Sequence, residues 1–363
     1  MTRLAIRAWV LLAVSALAAS PAVGIIHGIE DPNEFADPQS KYYGMNWSYV
    51  YQVGGGSAVA IGYFRLLTAR HFWVGIGQKL IINGDEFEVV AKHTAPLDDG
   101  QDLEPDMQVL ELRNNTNSLR PLPGFYPLYT GSFPFGQERN LVLVGTGKTG
   151  AAESGYYTED ATSARMLRWG ANQWYTPMRR TVDGPDADAE LDWSTQCFQM
   201  NYLKREDREH EAGYGEGDSG GGAFVRSEGV WKLAGMNLYR DTGLGIPLRY
   251  TELYAASIPD YADWIYQWLQ DDRLPGDSDF DGDVDAFDYI TVKRSVGTDH
   301  GATWQSGDFD GDGDVDCFDF RAIRTNFGYQ SIPHPNAASV LPSQGGGGGD
   351  DVVPEPAGLA LLA

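Results

Sequence analysis

Gly215-Glu-Gly-Asp-Ser-Gly-Gly-Gly222 is the stretch on which the fold turns. Glycines around one hydroxyl, Ser219, let the backbone approach a substrate and aim amide N–H groups at a developing oxyanion. A serine hydroxyl is a weak nucleophile and needs a base beside it. Histidine suits that task near neutral pH, and one ends the apolar run Leu66-Leu-Thr-Ala-Arg-His71. A carboxylate must then fix the imidazole tautomer and support the imidazolium. Asp98, Asp99 and Asp102 compete for that role, but only Asp106 directly precedes an alternating run, Met107-Gln-Val-Leu-Glu-Leu112. The candidate trio is His71, Asp106 and Ser219.

Around these segments the chain reads as β structure. From Ile25 to about Arg273, short apolar or alternating runs at 56–62, 79–84, 86–91, 107–112 and 140–145 are separated by turn clusters. Such spacing predicts an antiparallel sandwich or barrel. Helical periodicity closes the region at 259–269, with Tyr261, Trp264, Ile265 and Trp268 on one face. The 363 residues allow about two domains. An apolar share of 42% with 21% charged residues fits a folded chain. The net charge of −24 argues against a nucleic-acid or anionic-membrane binder, since both need a basic face, but leaves a divalent cation open. Cys197 and Cys317 are too few for a disulfide-stapled scaffold or a cysteine-rich zinc site.

The three segments, in the order His, Asp, Ser, resemble the chymotrypsin/trypsin-like serine protease family. Thr68-Ala69-Arg70-His71 is similar to the family's Thr-Ala-x-His, Asp106 with its strand to the aspartate segment, and Gly217-Asp218-Ser219-Gly220-Gly221 to Gly-Asp-Ser-Gly-Gly. The resemblance implies an all-β double barrel of six strands each, the triad between the barrels, and a C-terminal helix at 259–269. It implies Ser219 as nucleophile, His71 as base, Asp106 as its orienting partner, and the N–H groups of Gly217 and Ser219 as the oxyanion hole. Protein or peptide substrates follow. Ile25-Ile26-His27-Gly28 resembles the family's mature start, whose freed amine pairs with the aspartate before the serine, here Asp218. The family's pocket pattern falls on Gly213 and Tyr214 at the floor and on Tyr239 and Arg240 at the wall. With no acidic floor residue, Lys/Arg preference is not expected; a shallow pocket for small apolar or acidic residues is. The family's disulfides are missing.

Residues 277–328 carry 13 Asp, no Glu and four basic residues. Asp277-Ser-Asp-Phe-Asp-Gly-Asp-Val-Asp-Ala-Phe-Asp288 repeats 31 residues later as Asp308-Phe-Asp-Gly-Asp-Gly-Asp-Val-Asp-Cys-Phe-Asp319. Oxygen donors at loop positions 1, 3, 5, 9 and 12 with glycine at 6 match EF-hand spacing for a hard cation. The ligand set is Asp277, Asp279, Asp281, Asp285 and Asp288, then Asp308, Asp310, Asp312, Asp316 and Asp319, with Asp283 and Asp314 contributing backbone carbonyls at position 7. Helices are predicted over 289–295 and 320–326. Position 12 is Asp where an EF-hand has Glu. With the paired repeat and one helix after each loop, the segment resembles a dockerin type I module. This implies two Ca2+ sites, metal-dependent folding and a cohesin-like partner. Recognition positions 10 and 11 hold Ala286-Phe287 and Cys317-Phe318 rather than Ser/Thr, which puts ordinary cohesin binding in doubt.

Arg3 and Arg7 before the apolar run 8–19 predict an export signal, cut after Ala19, Ala22 or Gly24. A cut after Gly24 would expose Ile25 directly. Beyond the spacer at 345–349, the run from Val353 to Ala363 resembles the start of a PEP-CTERM sorting signal of Gram-negative bacteria. It lacks the full apolar span and basic end, so a truncated sequence or a defective signal is expected, with any membrane attachment only through that tail. The expected organisation is signal peptide 1–24, protease-like domain 25–272, linker 273–276, calcium module 277–328 and tail 329–363, in a secreted or surface protein.

Overall fold

The computed structural model describes residues 25, 33–98, 102–115, 119–133, 140–148, 150–153, 156–159, 164–182, 193–202, 210–241 and 251–330. The expected signal peptide, Ile26-His27-Gly28, and the tail from 331 onward lie outside them. A short helix, α1 (Asn33–Ala36), precedes the strands β1 (Val50–Val53), β2 (Gly56–Ala60), β3 (Arg65–Thr68), β4 (Lys79–Ile82), β5 (Asp85–Thr94) and β6 (Gln108–Asn114). All pair antiparallel, in the order β1-β2-β3-β6-β5-β4. Their inward residues, among them Val53, Ala58, Leu66, Leu80, Phe87 and Leu110, share one core. In β4 the pattern is strictly alternating, with Leu80 and Ile82 buried and Lys79 and Ile81 exposed, as a half-solvated strand requires. β2 and β3 are buried throughout, because their second faces meet the other barrel.

That barrel is built from β7 (Asn140–Gly145), then, past a separate hairpin of β8 (Gly150–Glu153) and β9 (Tyr156–Glu159), from β10 (Arg168–Val182), β11 (Trp193–Tyr202), β12 (Gly222–Ser227), β13 (Val230–Asp241) and β14 (Thr251–Ser257). It is closed in the order β10-β11-β14-β13-β12-β7. The architecture is thus the expected pair of six-stranded antiparallel units. Val59, Leu67 and Val109 of the first pack with Val144, Trp169, Phe224 and Met236 of the second in one shared core.

Helix α2 (Ile258–Gln267) follows with Pro259 in its first turn, where a missing N–H costs nothing. It buries Tyr261, Trp264 and Ile265 against the shared core, as its periodicity predicts. The chain is then pinned at Asp272. This buried carboxylate accepts the N–H groups of Tyr63 (2.5 Å) and Phe64 (2.9 Å) in the turn before β3, and Arg65 lies 3.6 Å away. Burial raises its pKa to about 6, against the pull of Arg65.

Five residues further on the acidic module begins, with α3 (Ala286–Ser295) and α4 (Cys317–Asn326). Both helices start three residues earlier than predicted. Asp285 with Asp288, and Asp316 with Asp319, form capping boxes that nucleate the helix inside the loop. The module's core residues Val284, Val292, Phe309, Val315 and Ile323 join the core of the first barrel. Asn326 Nδ2 donates to Leu119 O (3.2 Å) and Pro275 O (2.7 Å), and the Tyr329 hydroxyl to Leu122 O (3.4 Å). The module is therefore seated on the first barrel. Cys197 and Cys317 are both free thiols.

Candidate active site

Strand register brings the first two candidates together. Thr68 at the end of β3 pairs with Gln108 at the start of β6, so His71 and Asp106 leave the sheet from the same end. His71 Nδ1 lies 2.6 Å from Asp106 Oδ2. The backbone N–H groups of Arg70 and His71 both donate to Oδ1 at 2.8 Å. Asp106 is fully buried, so these charge-assisted bonds act in a low dielectric and hold imidazole and carboxylate in one orientation. Its own N–H donates to Thr195 Oγ1 at 3.0 Å. Phe72 covers one side of the imidazole, with centroids 4.2 Å apart. The rival Asp98 instead takes Arg179 (2.7 Å) and the Tyr261 hydroxyl (3.1 Å).

Ser219 reaches the same place from the second barrel. Gly222 pairs with Met236, which lays Ser219 beside Leu238. The Ser57 N–H on β2 donates to Ser219 O (2.8 Å), and the Ser57 hydroxyl to Gly217 O (2.8 Å), tying the serine loop to the first barrel. Glycine is required at 220, where φ is +82° and a Cβ would collide with Ser57 O. The Ser219 hydroxyl donates to Leu238 O at 2.8 Å; among the described residues no hydrogen bond joins it to His71. The N–H groups of Gly217 and Ser219 likewise have no acceptor among the described residues.

Asp218 and Ile25 are brought together. Asp218 is fully buried and accepts N–H groups from Gly147 (2.8 Å), Gly215 (2.6 Å) and Ile25. Burial outweighs these bonds and the nearby Arg168 charge, and pushes the carboxyl up to about 7. Ile25 is itself buried, among Leu141, Leu143, Ala212 and Tyr214.

The pocket residues divide. Gly213 sits against the Tyr202 ring. Arg240 reaches across to Tyr214 O at 3.1 Å, joining the segment before the serine to β13. Tyr239, expected on the pocket wall, instead places its hydroxyl 2.5 Å from Asp106 Oδ2. The sequence reading missed this contact and the Thr195 partner. A register shift between Asn237 and Tyr239 turns the side chain, and a bulge of that kind leaves no mark in the β-run.

The two acidic loops repeat the same backbone-to-carboxylate bonds at loop positions 2, 4 and 6. Asp277 accepts the N–H groups of Phe280 (2.6 Å) and Gly282 (3.0 Å); Asp308 accepts those of Gly311 (2.8 Å) and Gly313 (3.1 Å). Asp288 holds Ser278 N–H (2.7 Å) and Asp319 holds Phe309 N–H (2.7 Å). Carboxylates converge in the groups Asp277-Asp279-Asp281, Asp283-Asp285-Asp288, Asp308-Asp310-Asp319 and Asp314-Asp316-Asp319, with ligand atoms within 4.8 Å of one another. One oxygen each of Asp283 and Asp314 is buried without a partner. Burial, reinforced by neighbouring carboxylates, raises Asp277 to about 7 and also raises Asp279, Asp283, Asp310 and Asp314. An all-oxygen, strongly anionic donor set with orphaned oxygens fits a hard divalent cation. Phe287 and Phe318, for which core and partner roles were both open, are 69% and 55% exposed.

Residues 275–327 match the family profile of the Dockerin type I domain. No curated protein matches the chain. Among solved structures, it is similar to the Rv3671c protease from M. tuberculosis in its active form, at 15% identity and a TM-score of 0.37, over 61% of this chain and 79% of that one. It is also similar to neuropsin, a serine protease expressed in the limbic system of mouse brain, at 15% identity and a TM-score of 0.37, over 60% of this chain and 89% of that one.

Proposed function

We propose that this chain is a secreted serine endopeptidase carrying a calcium-dependent docking module. The observation that carries the reading is the fully buried Asp106 carboxylate, which holds His71 through Nδ1 at 2.6 Å, in a chain that also carries the Gly217-Asp218-Ser219 motif. With Nδ1–H directed at Asp106, His71 keeps Nε2 free to accept a proton. For catalysis the Ser219 hydroxyl must leave Leu238 O and donate to that nitrogen. Ser219 Oγ then attacks the peptide carbonyl as His71 takes its proton. The Gly217 and Ser219 N–H groups receive the oxyanion. His71 returns the proton to the leaving amine, and water attacking the acyl-serine repeats the sequence. Bound to the Asp loops, Ca2+ supplies charge neutralisation and order to the module; no catalytic step needs it.

Arg240, which the resemblance puts on the pocket wall, bonds Tyr214 O and brings a positive charge to that segment. This supports a preference for small or acidic residues over Lys and Arg. The module's exposed Phe287 and Phe318 favour a cohesin-like or other surface protein whose docking site is apolar. Arg3 and Arg7 before the apolar run 8–19 support export. A second reading, an inactive protease fold used for binding, has its support in the Ser219–Leu238 bond and the crossed pocket. The test is digestion of a denatured protein by chain beginning at Ile25, with fragments read by mass spectrometry. Ser219-dependent cuts after small or acidic residues are expected. Absence of any cut that Ser219→Ala abolishes would favour the binding protein.

A further inference from the structure

The contact between Tyr239 and Asp106 has a purpose that pocket lining does not explain. Oδ2 of Asp106 receives both His71 Nδ1 (2.6 Å) and the Tyr239 hydroxyl (2.5 Å), while Oδ1 takes two backbone N–H groups. The hydroxyl is itself fixed, because the Thr195 side chain hydrogen-bonds to it. Thr195 Oγ1 also accepts the Asp106 N–H at 3.0 Å. Asp106, Thr195 and Tyr239 thus close a ring of hydrogen bonds that joins the first barrel to β11 and β13. The Tyr239 ring lies alongside the imidazole, with centroids 6.1 Å apart and planes at 31°. Burial and the neighbouring Asp106 charge push the phenol far above its ordinary range, so it is a neutral donor at any working pH.

Resting on the triad reading above, we propose that Tyr239 is a positioning residue of the catalytic pair, whose hydroxyl fixes the Asp106 carboxylate and moderates its hold on the His71 proton. Two donors share one carboxylate oxygen, so each weakens the other's bond. Removing the phenol hydroxyl concentrates the negative charge on His71, stabilises the imidazolium and raises the pH at which His71 becomes a base. Other titratable groups about the pair are Cys197 on β11, whose buried thiol is held neutral, and the Arg70–Glu104 ion pair. Tyr239→Phe alters neither.

The test uses Tyr239→Phe, which keeps the ring and its packing. Its kcat is expected to fall about 10-fold, the usual weight of a hydrogen bond to a charged group, with KM within twofold. The acid limb of kcat/KM should move up by about half to one pH unit. The same shift should appear in the His71 titration followed by NMR in a Ser219→Ala background, where no turnover is needed. A changed KM or side-chain preference with an unmoved acid limb and an unmoved NMR midpoint would overturn the proposal and return Tyr239 to the pocket. An inactive wild type with a shifted midpoint would reject the protease reading while keeping the positioning role. If Tyr239→Phe fails to fold, a fluorinated tyrosine at 239, a stronger donor, replaces it; His71 should then titrate lower, and an unchanged midpoint refutes the role.

Discussion

Freeing the Ile25 amine should change how stability depends on pH, and Asp218 sets the size of the effect. In the chain that continues upstream of Ile25, Asp218 receives an amide N–H there rather than a charge, and burial raises it from 3.8 to about 7. A carboxyl whose folded pKa lies above its unfolded one binds its proton more tightly when folded. Its contribution is present below pH 3.8 and is lost as pH rises to 7, a loss of about 4 kcal/mol. Cleavage before Ile25 places an ammonium at the same N–H. The positive charge favours the carboxylate and offsets most of that loss, less the cost of desolvating the amine. The amine's own contribution is present below its unfolded value of about 8 and lost as pH rises through its raised folded value. Urea unfolding of protein beginning at Ile25, against protein with one extra residue, should give equal stability near pH 4. The gap should open to about 2–4 kcal/mol at pH 7 and narrow again above about pH 9. Asp218→Asn should remove the pH dependence of the gap. Parallel curves for the two proteins from pH 4 to 9 would refute the pairing.

Other outcomes follow from the same structure. Asp272→Ala should destabilise the protein by about 3–5 kcal/mol in urea unfolding, because it strands the N–H groups of Tyr63 and Phe64 and leaves Arg65 in a buried site without this partner. Chelating calcium should lower the helix signal of α3 and α4 in far-UV circular dichroism, and lower the melting temperature of the whole chain, since Asn326 and Tyr329 hold the module to the first barrel. Asp288→Ala with Asp319→Ala should reproduce that loss at saturating calcium. Arg240→Gly should open the pocket and shift cleavage toward larger apolar residues, seen as a change of cut sites in fragment mass spectra.

The parts of the site that lie in local motifs could be read before any fold was known. The histidine turn, the aspartate before β6 and the serine loop are each marked by a few adjacent residues, and the two Asp loops by their repeat. Alternation in β4 and the apolar stripe of α2 were equally plain. What was hidden depends on distant pairs. Nothing near Asp272 shows that its carboxylate caps the turn at Tyr63 and Phe64, more than 200 residues away. Nothing in the acidic repeat shows that Asn326 reaches Leu119. The family's pattern puts Tyr239 on the pocket wall; in the structure, next to a shift in strand register, its phenol meets Asp106. The early starts of α3 and α4 were legible in principle, since Asp285/Asp288 and Asp316/Asp319 have capping-box spacing, but those residues had been assigned to the cation alone.

The central claim, an activated nucleophile at Ser219, is tested most directly by covalent labelling with a fluorophosphonate probe. Folded protein beginning at Ile25 should be labelled at Ser219, and Ser219→Ala should not. Folded protein that takes no label, or label that persists in Ser219→Ala, would contradict it.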